Sequence, residues 1–162
     1  MSRAIGLRVP ELGDRIRRGV ARFTVVPDEF DGVLNAINRR GERVGYQLTP
    51  QGTTRAVHMS EAGARDLGTL GGTSSTARGI NDDGIVVGGS LIENDDAYHG
   101  FVAVDGDMYD LNAFIDPASG WEVIHALGIN AQGDIVAVAN KGGDDRVVRL
   151  QYREEGGASD VA

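Results

Sequence analysis

Three histidines, His58, His99 and His125, and the adjacent hydroxyls of Ser74 and Ser75 are the side chains of this sequence best suited to acid–base or nucleophilic chemistry. Ser74 or Ser75 with His125 and Asp116 makes up the inventory of nucleophile, base and orienting carboxylate that activates a hydroxyl near neutral pH. Without the serines, His125, Asp116 and His99 are the groups that general acid–base catalysis without a cofactor would draw on. Nothing in the spacing ties them together. No HExxH or paired-histidine motif is present, and "NDDG" at Asn81 and "ENDDA" at Glu93 lack the alternating ligands and closing Glu of a calcium loop. With no Cys in the chain, thiolate and disulfide chemistry is absent as well. No metal and no cofactor are expected.

A second set of residues suits binding. Trp121, the only tryptophan, lies in a long polar stretch with Asp116, Ser119 and His125, and its flat ring fits a sugar or another planar ligand. The competing structural reading has the ring filling a groove between sheets. Thr73, Ser74 and Ser75 offer small polar contacts, and Asp28 and Glu29 would add acidic ones that favour a cationic ligand. Sixteen basic against 24 acidic residues give a formal charge of −8, which opposes a phosphate backbone, so nucleic acid is not an expected partner. No apolar run reaches the 18 or so residues of a membrane span, and the opening "MSRAIGLRVPELGDRIRRGV" does not read as a signal peptide. A cytoplasmic protein without membrane partners is expected.

The elements that must position these groups follow from an internal repeat. "AINRRGERVG", "GINDDGIVVG" and "GINAQGDIVA" begin at Ala36, Gly79 and Gly128. Asn followed three residues later by Gly is the chemistry of a hairpin turn, so Asn38, Asn81 and Asn130 each open one. β-Branched strands follow at Arg43–Thr49, Ile85–Ile92 and Asp134–Asn140. Third strands run from Arg55, His99 and Arg146, and fourth strands from Ala64 and Asp107. The third copy has no fourth strand before the tail, whereas "RFTVV", residues 22–26, precedes the first copy in the place of one. The glycine-rich stretch 66–90 has neither Gly-Lys-Ser/Thr nor G-x-G-x-x-G order, so it reads as the joint between two sheets rather than a phosphate loop.

"DLGTLGGTSSTARGINDDGIVVGGS", with "HGF" and "MYDL" after it, resembles the bacterial HAF repeat, over roughly residues 22–153 and closest in the middle copy. That resemblance implies a β-propeller-like repeat protein, of a kind often extracellular, and brings no catalytic residues with it. Propellers have about four to eight blades, so three blades form a half-propeller. The expected completion is a homodimer of six blades, in which residues 22–26 of one chain complete the third blade of the other. A β-trefoil, also threefold and closed within one chain, is the alternative.

The expected organisation is therefore a basic arm or short helix over residues 1–21, an all-β domain over 22–153 with repeats at about 33–68, 77–111 and 125–153, and a flexible tail over 154–162. The leading functional expectation is a non-catalytic module that presents its loop face to a small molecule, glycan or protein. The other is a small cyclase, lyase or isomerase, of the kind found in natural-product biosynthesis, working in a channel or dimer cleft with His and carboxylate groups.

Overall fold

The computed structural model describes residues 9–154, and the chain divides into two compact units, residues 1–30 and 31–162. Of the expected arm and tail, residues 1–8 and 155–162 lie outside the described residues. In the first unit α1 (Val9–Arg17) carries Glu11 in its first turn and Arg15 and Arg17 in its last, charges of the sign that the helix dipole favours at each end. Residues 20–30 then run without regular structure, so residues 22–26 pair with no strand among the described residues. Phe23, Val25 and Val26 are 77%, 91% and 80% exposed.

The second unit is all-β. Sheet 1 holds β1 (Val33–Ile37), β2 (Arg43–Leu48), β3 (Thr54–Ser60) and β4 (Gly63–Asp66). Sheet 2 holds β5 (Gly71–Ile80), β6 (Val86–Ile92), β7 (Tyr98–Val104) and β8 (Asp107–Asp110). Sheet 3 has only β9 (Glu122–Ile129), β10 (Ile135–Lys141) and β11 (Asp144–Leu150). Every pairing between neighbouring strands is antiparallel, in sequence order. Among the described residues the sheets close into neither a barrel nor a propeller ring within one chain, so the trefoil expectation does not hold and no closed propeller forms from a single copy. Each sheet is instead a local meander that must bury its faces against its neighbours.

Sheet 2 is the centre of the stack because its strands alternate apolar residues to both faces. Val86, Phe101 and Ala103 join Val44, Ala56 and Leu67 of sheet 1 and its exit in one core cluster. Val87, one residue on, joins Val123, Ala126, Ile135, Ala137 and Ala139 of sheet 3 in the other.

The three asparagines of the repeat do two jobs. Each Oδ1 accepts two backbone N–H groups of its own turn: Arg40 and Glu42 for Asn38, Asp83 and Ile85 for Asn81, Gln132 and Asp134 for Asn130, all at 2.9–3.1 Å. The closing glycines Gly41, Gly84 and Gly133 take φ of 76°, 79° and 85°, where a side chain would be strained. Two of the Nδ2 groups also reach to the next sheet: that of Asn38 donates to the Asn81 carbonyl at 3.0 Å, and that of Asn81 to the Asn130 carbonyl at 3.1 Å. One residue type thus fixes both the turn and the spacing of the sheets.

Two boundaries differ from the sequence reading. Residues 71–77, expected in a connecting loop, belong to β5, and Glu122–Ala126, assigned to the long loop from Leu111, opens β9. Both strands carry register shifts, β5 between Gly71 and Ser75 and again at Ala77/Gly79. Bulged strands of this kind lack the regular alternation by which strands are recognised.

Candidate functional site

The serines expected to face a ligand hold sheets together instead. Ser75 is fully buried; its Oγ accepts the Ala56 N–H at 2.9 Å and donates to the Gly68 carbonyl at 2.5 Å, sewing β5 to sheet 1 and its exit. Ser74 Oγ accepts from the Thr54 N–H at 3.4 Å. Thr73 gives both its N–H and its hydroxyl to the Asp95 carboxylate, at 2.7 and 2.8 Å, and so anchors the loop between β6 and β7. With its lone pairs and proton engaged in this way, Ser75 is not a free nucleophile.

His99 is equally committed. Its Nδ1 lies 2.6 Å from Asp110 Oδ2 and its Nε2 3.0 Å from Glu122 Oε1, so one imidazole ties β7 to β8 and to the start of β9. Asp116 accepts the Ala118 N–H at 2.9 Å as the cap of a short 3-10 turn, Pro117–Ser119. Trp121 packs against the core between sheets 2 and 3, and the Lys141 ammonium stands 5.3 Å from its ring centroid. One face of the expected sugar platform is therefore already attended by a cation of the same chain. Asp28 and Glu29 lie in the first unit. The residues singled out from sequence are thus divided among the seam of sheets 1 and 2, the seam of sheets 2 and 3, and the first unit.

His125 stands apart. Half-buried in β9, it lies 5.1 Å centroid to centroid from the Tyr98 ring, and its Nδ1 is buried without a hydrogen-bond partner. Burial, and next the charge of Arg78, push its pKa below the ordinary 6.5, against an opposing pull from Asp145. A depressed histidine pKa has a definite sign in stability. As pH falls below 6.5 the unfolded chain takes up the proton first, so stability declines until the folded imidazole is protonated too, and is constant below that. We expect His125→Gln to remove this part of the acid sensitivity. Urea melts of both proteins between pH 7.5 and 5 check it, and an unchanged slope would assign the sensitivity elsewhere.

Two cavities accompany these seams. A polar one of about 290 Å³ opens between sheets 1 and 2 at the turn end, bounded by Arg40, Glu42, His58, Arg65 and Asp83. The Asn38 amide bonded to it, more than the charges of Arg40 and His58, lowers the Glu42 pKa against the desolvation that raises it. The other is a groove of about 1000 Å³ along the side of sheets 2 and 3. Val102, Leu111, Ile129, Ile135 and Leu150 make its apolar wall, and Asp83, Asp116 and Arg153 stand at its margins. Neither His125 nor Trp121 lines it. Sequence patterning gave no sign of this groove, because it is made by residues from four strands and several turns of two different repeats.

Among the described residues no group of His and carboxylate side chains is arranged to hold a metal ion, and no helix is long and apolar enough to cross a membrane. No protein-family model matches the chain, and neither a curated protein nor a solved structure is significantly similar to it.

Proposed function

We propose that this chain is a half-propeller related to the HAF repeat, a non-catalytic interaction module that works as a homodimer of six blades and presents one loop end to a small molecule, glycan or protein. The observation that carries the reading is the fate of the chemistry-bearing groups. Ser75 and His99 spend their hydrogen-bonding capacity on the scaffold, as do Asn38 and Asn81. Antiparallel alternation puts the connections 67–70 and 111–121 at the end opposite the Asn turns, together with the loops at 49–53, 93–97 and 142–143. Phe114, 67% exposed, and the Trp121–Lys141 pair belong to that end. An exposed apolar ring and an aromatic–cation pair at one end of the strands are recognition chemistry.

The enzyme reading is favoured by one observation, the buried and unpartnered Nδ1 of His125, a neutral base at pH 7. That base lines neither cavity. A thermal-shift screen of glycans and small planar molecules, repeated on Trp121→Ala, Asp116→Asn and His125→Ala, separates the two. Binding at the loop end predicts shifts lost in the first two variants and kept in the third. Turnover of any compound that His125→Ala abolishes would overturn the module in favour of the enzyme.

A further inference from the structure

Sheet 3 has an unfilled place, and its shape is known from the other two sheets. The fourth strands β4 and β8 pair with β3 and β7 in one register: Val57 faces Asp66 and Met59 faces Ala64, as Phe101 faces Asp110 and Ala103 faces Met108. Met108 packs into the core between sheets 1 and 2. Val148 stands in sheet 3 where Val57 and Phe101 stand in theirs, and among the described residues β11 has no partner beyond it. The strand equivalent to β8 would lie along β11, its inward side chains entering the groove of about 1000 Å³ beside Leu150, Ile135 and Val102.

We infer that this groove is the seat of residues 22–26 of a second copy of the chain. The inference rests on the half-propeller reading and adds the seat of the exchanged segment and its register. Matching "RFTVV" to "ARDL" and "MYDL" sets Phe23 where Ala64 and Met108 stand. Phe23 then faces Leu150 and fills the groove, Thr24 faces Arg149 on the other side of the sheet, and Val25 faces Val148 over the core. The exposure of Phe23 and Val25 in the single chain is the surface such a strand would bury. Among the described residues, 22–26 pair with no strand of the same copy.

The asparagine ladder stops at the same boundary. Asn38 and Asn81 each donate Nδ2 to the next sheet, whereas Asn130 uses only its Oδ1, within its own turn. With a second copy in place, the carbonyl of the partner's Asn38 completes the series, and two such junctions close a ring of six four-stranded sheets.

The absence of Cys makes a direct test possible. Thr24→Cys and Arg149→Cys are prepared as separate full-length proteins, mixed, and treated with a short bismaleimide. We expect a cross-linked species of twice the 17.1 kDa chain mass in the mixture and not in either variant alone. Light scattering at micromolar concentration should show the unmodified chain as a dimer. Phe23→Asp, at a site exposed in the single chain and so without cost to its fold, should weaken that dimer about 100-fold or more. A dimer that gives no cross-link and ignores Phe23→Asp would overturn the strand exchange while leaving the half-propeller standing. A monomer at those concentrations would overturn both.

Discussion

Phe101→Ala is expected to lower the stability of the β unit by about 3–5 kcal/mol, read as a fall in the urea midpoint with the slope unchanged. Phe101 is the largest side chain without any exposure, and it lies at the meeting of Val44, Ala56, Leu67, Ala77 and Val86 from two sheets. The site is also one that cannot collapse. A Cβ on Gly88 would come within 2.8 Å of the Phe101 ring edge and would collide with the Thr76 carbonyl, so Gly88 is bare because the ring lies on it, and β5 holds the backbone in place. Truncating the ring leaves a cavity walled by strand backbone, the case in which the cavity penalty is paid nearly in full. Against a total of about 5–15 kcal/mol for a domain, such a loss brings the chain near unfolding at ambient temperature. Phe101→Leu keeps most of the volume and should cost less than half as much. Equal losses in the two variants would show that the ring's packing over Gly88 is not what holds the seam.

Much of this core was legible in the sequence. The decapeptide placed the turns at Asn38, Asn81 and Asn130, and the β-branched runs behind them placed β2, β6 and β10 within a residue or two. The glycines of the joint also suit its close packing, since Gly88 lies beneath Phe101 and Gly89 beside His125. What the sequence obscured has a common physical cause. Gly71–Ser75 looked like a loop because Gly is a weak strand former and Ser a common turn residue, and it is a strand because Ser75 bonds backbone groups of sheet 1 from a place no local pattern reports. The partners of His99 were hidden in the same way: Asp110 and Glu122 are 11 and 23 residues away, and only the stacking of sheet 3 on sheet 2 brings the second of them into reach. Candidate site residues chosen by type were therefore the least secure part of the reading, because the same hydroxyls, carboxylates and imidazoles that do chemistry also hold sheets together.

Asn81→Ala should cost about 2–4 kcal/mol, several times more than Asn130→Ala, although both asparagines hold the same turn. Asn81 is 5% exposed, and its loss leaves the N–H groups of Asp83 and Ile85 without their shared acceptor, at about 1–3 kcal/mol for each that water does not reach. It also takes one donor from the Asn130 carbonyl, which keeps the bond from the Gly133 N–H at 3.1 Å. Asn130 is exposed, so water replaces what its Oδ1 gave to Gln132 and Asp134, and about 1 kcal/mol or less is expected. Asn81→Asp divides the roles: it keeps an acceptor for the turn and loses the donor to sheet 3, placing a carboxylate beside a carbonyl. If it destabilises the chain nearly as much as Asn81→Ala, the link between sheets is the larger part. If it is close to wild type, the turn is. The comparison with Asn130 also depends on concentration. In a lone chain Asn130 is an end residue, but across a junction between copies its Nδ2 would do what that of Asn81 does within the chain. Asn130→Ala should therefore leave dilute-chain urea stability nearly unchanged and show its cost in the dimer dissociation constant, whereas Asn81→Ala shows its cost at any concentration.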